Sequence, residues 1–387
     1  MNVTVRVDIE PEVLEWATAR SGLDREEILR HFPRFDKWVG RDGPGPTLRQ
    51  LESFAQRTHT PVGMLLLPTP PRDELPVPDY RTFGDAGVRE PSADLLDAVF
   101  LCEQRQDWYR DYALSVGEDP RAFVGSVGLG SDPVVVADSI RAALGFQVEQ
   151  RRSHPTWTEA LRALIDLTEN IGILVMVSGI VGANTHRKLD PAEFRGFALV
   201  DDIAPLIFIN GVDTKAAQIF TLAHEVAHVW LGQSAVSNPR LDRPNESNET
   251  ERWCDSVAAE VLVPVRSFQE RFNPRVALDG ELQRLAREYK VSTLVILRRA
   301  YDAGFLTWDA YRDAYKAELD RVMEIVGQEG KGGDFYNTQP LRASRRFSRA
   351  IIASTLEGRT LYRDAFRLLG LRKTETFEKL GQALEVS

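Results

Sequence analysis

At 387 residues the chain exceeds what one hydrophobic core usually serves, so more than one unit is expected. A composition of 43% apolar and 27% charged residues is globular and excludes a mostly disordered or fibrous chain. With 48 Lys or Arg against 57 Asp or Glu the net charge is -9, which argues against a nucleic-acid or membrane-surface binder acting through its whole surface.

In chain order, residues 1–67 read as a small helical unit, with helices over 11–21, 24–32, a segment reaching Trp38, 47–58 and 61–67. Residues 68–91 are too rich in proline for helix and form a linker. A helical segment over 92–170 follows, its last helix opening on the capping-box pattern Thr156-Trp157-Thr158-Glu159. Three short runs rich in β-branched and aromatic residues, 171–178, 194–200 and 206–210, read as strands, after which helices dominate to Val326. Gly327–Gly333 makes a joint. Residues 327–387 are a helical extension in which 342–373 carries nine Lys or Arg against two acids, so a local +7 sits in an acidic chain. The helix pair near 282–304 reads as packing, with Arg298 and Arg299 on a solvated face.

Two cysteines far apart, Cys102 and Cys254, make no disulfide framework. With no apolar leader and no run of 18 uncharged apolar residues, a cytoplasmic protein is expected.

The segment that carries chemistry is Phe220-Thr-Leu-Ala-His224-Glu225-Val-Ala-His228-Val-Trp230. Histidines four apart lie one above the other on a helix, as two ligands of a single zinc must. Ile219, Leu222, Val226 and Val229 cluster on the opposite side, so the helix is read with a core side and a chemical side. Further on, Glu251 and Asp255 share one stripe of a second helix that ends near Pro264. Two His and one Glu form a catalytic zinc set that leaves one position open. Asp255, one turn after Glu251, is placed to accept a hydrogen bond from the other nitrogen of a zinc histidine. Cys254 reads as a buried small residue, with a fourth ligand as the alternative.

From about Phe194 through Glu260-Val-Leu-Val-Pro264, these motifs resemble the ImmA/IrrE family of bacterial zinc metallo-endopeptidases, with Cys254-Asp255 where the family often has Ala-Asn. The resemblance implies an α+β, mostly α fold: a zincin-like core over 171–326, with a small sheet and two zinc helices, flanked by helical units. It implies Zn2+ held by His224, His228 and Glu251, Glu225 as general base, and limited cleavage of a repressor or toxin-system protein in a bacterial stress, prophage or toxin-antitoxin response. His186, Tyr80 and His154 are the candidate electrophiles for the oxyanion. Residues 8–67, with Trp38-Val39-Gly40, Leu48-x-x-Leu51 and Phe54-Ala55, resemble an XRE-type helix-turn-helix. Arg34 and Lys37 there, or Arg342, Arg345, Arg346 and Arg349 in the basic extension, are the residues expected to meet nucleic acid or an acidic partner. A DNA-binding or antitoxin-like regulator using the zinc fold as a structural or sensing module is the competing reading.

Overall fold

The computed structural model describes residues 6–71, 74–81, 90–239, 248–326 and 341–386. The expected Gly327–Gly333 joint lies outside them. The chain divides into two compact units, one formed by residues up to Pro76 with 89–99, the other by 77–88 with the chain from Phe100 on.

The N-terminal unit holds helices α1 (Pro11–Arg20), α2 (Arg25–His31), α3 (Phe35–Val39) and α4 (Leu48–Arg57). Asp24 caps α2 by accepting from the Glu27 amide at 2.7 Å. Thr47 and Gln50 close a reciprocal box on α4, so both helices start where their free amides find side-chain partners. The core is aromatic: Phe54 stacks on Phe35 at 5.5 Å between centroids and meets Phe32 edge-on at 5.4 Å.

The larger unit is built on a four-stranded sheet, β1 (Leu174–Ser178), β2 (Gly196–Leu199), β3 (Leu206–Asn210) and β4 (Ala235–Ser237), in the order β1-β3-β2-β4. β1 and β3 are parallel, whereas β2 runs antiparallel to both β3 and β4. The runs LVMVS, GFAL and LIFIN carry no polar alternation because both faces of the sheet are covered. One face, through Ala198, Ile207 and Ile209, belongs to the main core with α7 (Trp157–Asn170) and α8 (Lys215–Leu231). On the alternate positions Phe197 and Phe208 stack at 4.9 Å across the β2–β3 pair. α9 (Glu249–Leu262) lies against α8, and α6 (Pro133–Leu144) against α9. The first strand starts later than the sequence reading placed it, because Ile171 still caps α7 and Gly172 turns the chain at φ 103°. β4 escaped that reading altogether, since three residues leave no pattern.

α5 (Ala93–Ser115) sends three polar or soft side chains to the sheet. Cys102 Sγ lies 3.9 Å from Met176 Sδ, and Gln106 donates to the carbonyls of Leu199 (2.8 Å) and Ala204 (2.9 Å). Buried Arg105 donates to the carbonyls of Leu368 (2.9 Å) and Arg342 (3.0 Å), so it ties in the C-terminal helices α14 (Arg345–Leu356), α15 (Tyr362–Leu369) and α16 (Thr374–Ala383). Three of the four arginines expected to meet a partner also have partners within the chain. Arg346 donates to Tyr109 Oη (2.6 Å) and Glu118 (2.8 Å), Arg345 reaches Asp166 (3.4 Å), and Arg349 donates to the Leu384 carbonyl (2.9 Å). α11 (Leu278–Tyr289), α12 (Thr293–Asp302) and α13 (Trp308–Val326) complete the unit. Arg299 of α12 is not solvated as expected: it is buried against Glu260 at 2.9 Å, since the α9 carboxylate needs a charge partner inside the core. Among the described residues no helix is long and apolar enough to cross a membrane.

Buried Glu169 at the end of α7 accepts from the Ser344 hydroxyl and the Arg345 amide (3.1 Å), which pins the start of α14. Burial raises its pKa to about 7, although these donors pull the other way. The folded chain therefore holds a proton that the unfolded chain has released above an ordinary carboxylate pKa of about 4.3. Stability from this group is complete below that value and is lost as pH rises toward 7. Glu169→Gln should remove a loss on the order of 2 kcal/mol between pH 5 and 8, measured by urea unfolding of both proteins at each pH. Parallel profiles would show that Glu169 stays ionised.

Candidate metal centre

α8 and α9 bring the chemistry together. Every residue of α8 from Gln218 to Leu231 is buried, so its chemical side lies inside the protein as its core side does. His224, Glu225 and His228 are each 0% exposed. The helix approaches β2 this closely because Gly196 has no side chain. A Cβ there would stand 2.6 Å from Thr221 Cγ2 and 3.0 Å from Glu225 Oε1. On the other side Ala258 and Ala259 of α9 are small enough to let the two helices meet, and both are buried.

Asn248 caps α9 by accepting from the amides of Thr250 (3.0 Å) and Glu251 (3.3 Å). That puts Glu251 in the first turn, where the helix dipole favours a carboxylate. Glu251 Oε1 lies 3.1 Å from His228 Nε2 and its Oε2 lies 3.3 Å from His224 Nε2, while the two Nε2 atoms are 3.2 Å apart. One turn on, Asp255 Oδ1 is 2.9 Å from His224 Nδ1 and accepts its proton, which leaves the Nε2 lone pair facing inward.

Such a cluster calls for positive charge. Burial works against protonation of His224, but Glu251 and Asp255 overcome it and hold that imidazole well above its usual pKa. Burial likewise opposes ionisation of Glu251, yet the two histidines hold it down to about 2. For His228 burial wins and the pKa falls. Separations of 3.1 to 3.3 Å among two nitrogens and a carboxylate match the edge of a tetrahedron whose corners lie about 2.0 Å from its centre, roughly 3.3 Å, as zinc requires of His and Glu ligands. The residues present therefore fit a zinc ion. His224, His228 and Glu251 are the one such group among the described residues.

Glu225 stands apart from this set. Both of its carboxylate oxygens are buried, and burial pushes its pKa up to about 8 against the pull of His224 and of a hydrogen bond with Ser237. Of the three candidate electrophiles the structure brings only Tyr80 to the centre, its ring facing that of His228 at 6.3 Å and 30°. His186 is exposed in the 180–188 loop, its amide donating to Asn184, and His154 caps the turn after Ser153. Cys254 points into the core, where burial raises its thiol pKa far above the usual range, and it is not among the converging ligands. Sequence reasoning missed Ser237, whose hydroxyl on β4 is 3.4 Å from His228 Nε2. No local pattern marks it. In the N-terminal unit Arg34 and Lys37 are exposed, and Arg34 lines a groove with His31, Phe32, Trp38 and Arg49.

Helix-borne His, Glu and His with a glutamate from a second helix define a metallopeptidase type of site. Residues 168–301 match the family model described as the IrrE N-terminal-like domain, of peptidase family M78, which supports the resemblance to the ImmA/IrrE peptidases. Residues 343–383, which span the C-terminal helices, match a model described as a domain of unknown function (DUF8813). No curated protein and no solved structure matches the chain.

Protein purified without added metal should carry about one zinc per chain, and His224→Ala with His228→Ala should carry almost none. Asp255→Asn should keep the site but weaken zinc about 10- to 100-fold in competition with a chelator. Zinc content indifferent to the double substitution would sink the assignment.

Proposed function

We propose that this protein is a zinc-dependent endopeptidase making limited cleavage of a regulatory protein. The observation that carries the reading is Glu225, a fully buried carboxylate outside the ligand set, beside two inward-facing imidazole nitrogens and the Glu251 carboxylate. A structural metal site gives no reason to bury, next to its ligands, an acid that does not itself hold the ion.

His224, His228 and Glu251 would hold the ion, and Asp255 fixes the tautomer of His224. Zinc, when bound, supplies Lewis acidity toward a peptide carbonyl and toward water. Glu225 takes the proton of the attacking water and returns it to the leaving amine. The resemblance makes a repressor or toxin-system protein the expected substrate, in a bacterial stress, prophage or toxin-antitoxin response, within the cytoplasm.

One observation favours the second reading, a DNA-binding or antitoxin-like regulator. The groove of the N-terminal unit gathers His31, Arg34 and Arg49 around Phe32 and Trp38, with no acid in its lining. Phosphate or an acidic segment suits such a lining.

Glu225→Gln separates the two. It should retain zinc and thermal stability yet lower hydrolysis by about 100-fold or more, read by mass spectrometry on a denatured bacterial proteome offered as peptides. Full biological activity in this variant would favour the regulator.

A further inference from the structure

A sheet edge presents unpaired N–H and C=O groups that an extended chain will take up. At the outer edge of β4, beside the metal centre, the protein supplies that chain itself. The Val236 amide donates to the Pro78 carbonyl at 3.0 Å, and the Tyr80 amide donates to the Val236 carbonyl at 3.0 Å, so Pro78–Tyr80 lies parallel to β4 as an added strand. The same short strand carries Ser237, 3.4 Å from His228 Nε2. Edge and metal site thus share one lip.

Two side chains fasten this strap. The Arg81 guanidinium, 0% exposed, donates to both oxygens of Asp79 (2.7 and 2.6 Å) and to Glu193 (3.0 Å). The Tyr80 ring lies over His228. Main-chain pairing to an edge strand, with side chains lodged in pockets, is how proteins recognise an extended peptide. A spacer between units needs neither the buried arginine nor the ring over a ligand. Chain continuity joins the strap to the N-terminal unit on both sides, to Pro76 before it and to the segment from residue 90 after it.

We propose that Pro78–Arg81 is a resident stand-in for an extended peptide, closing the edge beside His228 so that substrate enters only when the strap is displaced. The proposal rests on the peptidase reading and adds how the substrate is taken, as a strand along β4, and what holds the enzyme latent. What holds the strap is two main-chain hydrogen bonds and one buried ion-pair cluster.

The test uses the full-length, zinc-loaded protein and a released form, Asp79→Asn with Tyr80→Gly and Arg81→Met, which leaves Glu193 to receive an incoming arginine. Tyr80→Gly alone serves if the triple variant does not fold. Hydrogen exchange at the Val236 amide should quicken at least tenfold in the released form. A labelled synthetic peptide copying residues 75–81 should bind it at least tenfold more tightly than it binds wild type, and the same peptide with alanine for its tyrosine and arginine should not. Zinc should pass to a chelator faster from the released form. A folded variant with unchanged Val236 exchange and unchanged peptide binding overturns the proposal. A chain that takes up no zinc overturns the peptidase reading instead, while exchange and peptide binding still decide the strap.

Discussion

Two half-buried carboxylates on one helix facing two buried imidazoles on another is the constraint on which the rest of this fold depends. Glu251 and Asp255 carry negative charge into the interior, where an uncompensated ion is destabilising by several kcal/mol. The balancing positive charge has to sit among His224, His228 and Glu251, since the atoms there are already 3.1 to 3.3 Å apart. Close packing of α8 on α9 follows, and with it the demand for small residues at Ala258, Ala259 and Gly196. A larger side chain at any of them would separate groups whose charges cancel only at contact.

That geometry also explains why the strands look as they do. A helix buried on every side needs a wall behind it, and the sheet is that wall. Its other face must then be covered in turn, by α5 and the C-terminal helices. The peptidase-like segment and the C-terminal helices are thus one packed unit in which Glu169 and Arg105 are the polar pins.

Much of this was legible in the sequence, for physical reasons that differ from element to element. Capping boxes at Thr47 and Thr156 are local chemistry, so both helix starts could be read directly. The spacing of His224 and His228, and of Glu251 and Asp255, expresses helical geometry within a single turn. The pairing of the two helices became legible only because their residue types suit one ion. Three features were not legible. The burial of α8 on all faces depends on Gly196, Ala258 and their neighbours rather than on its own apolar stripe. Tyr80 reaches His228 through strand pairing with Val236 across more than 150 positions, and Ser237 sits on a strand of three residues, so neither leaves a periodic trace. The basic stretch of the C-terminal extension looked like an open surface because its partners, Glu118 and Asp166, lie far upstream.

Arg105 carries a consequence for how the protein comes into being. Its guanidinium is buried at the back of the sheet and satisfied by the carbonyls of Arg342 and Leu368, more than 230 residues downstream. During synthesis the two zinc-type helices emerge and can meet well before those carbonyls exist. For that interval a charged group faces a half-built sheet with no acceptor, so the nascent chain must stay open on that side or be shielded by a chaperone. The sheet closes only after residue 368 has left the ribosome, which ties completion of the core to synthesis of the C-terminal helices.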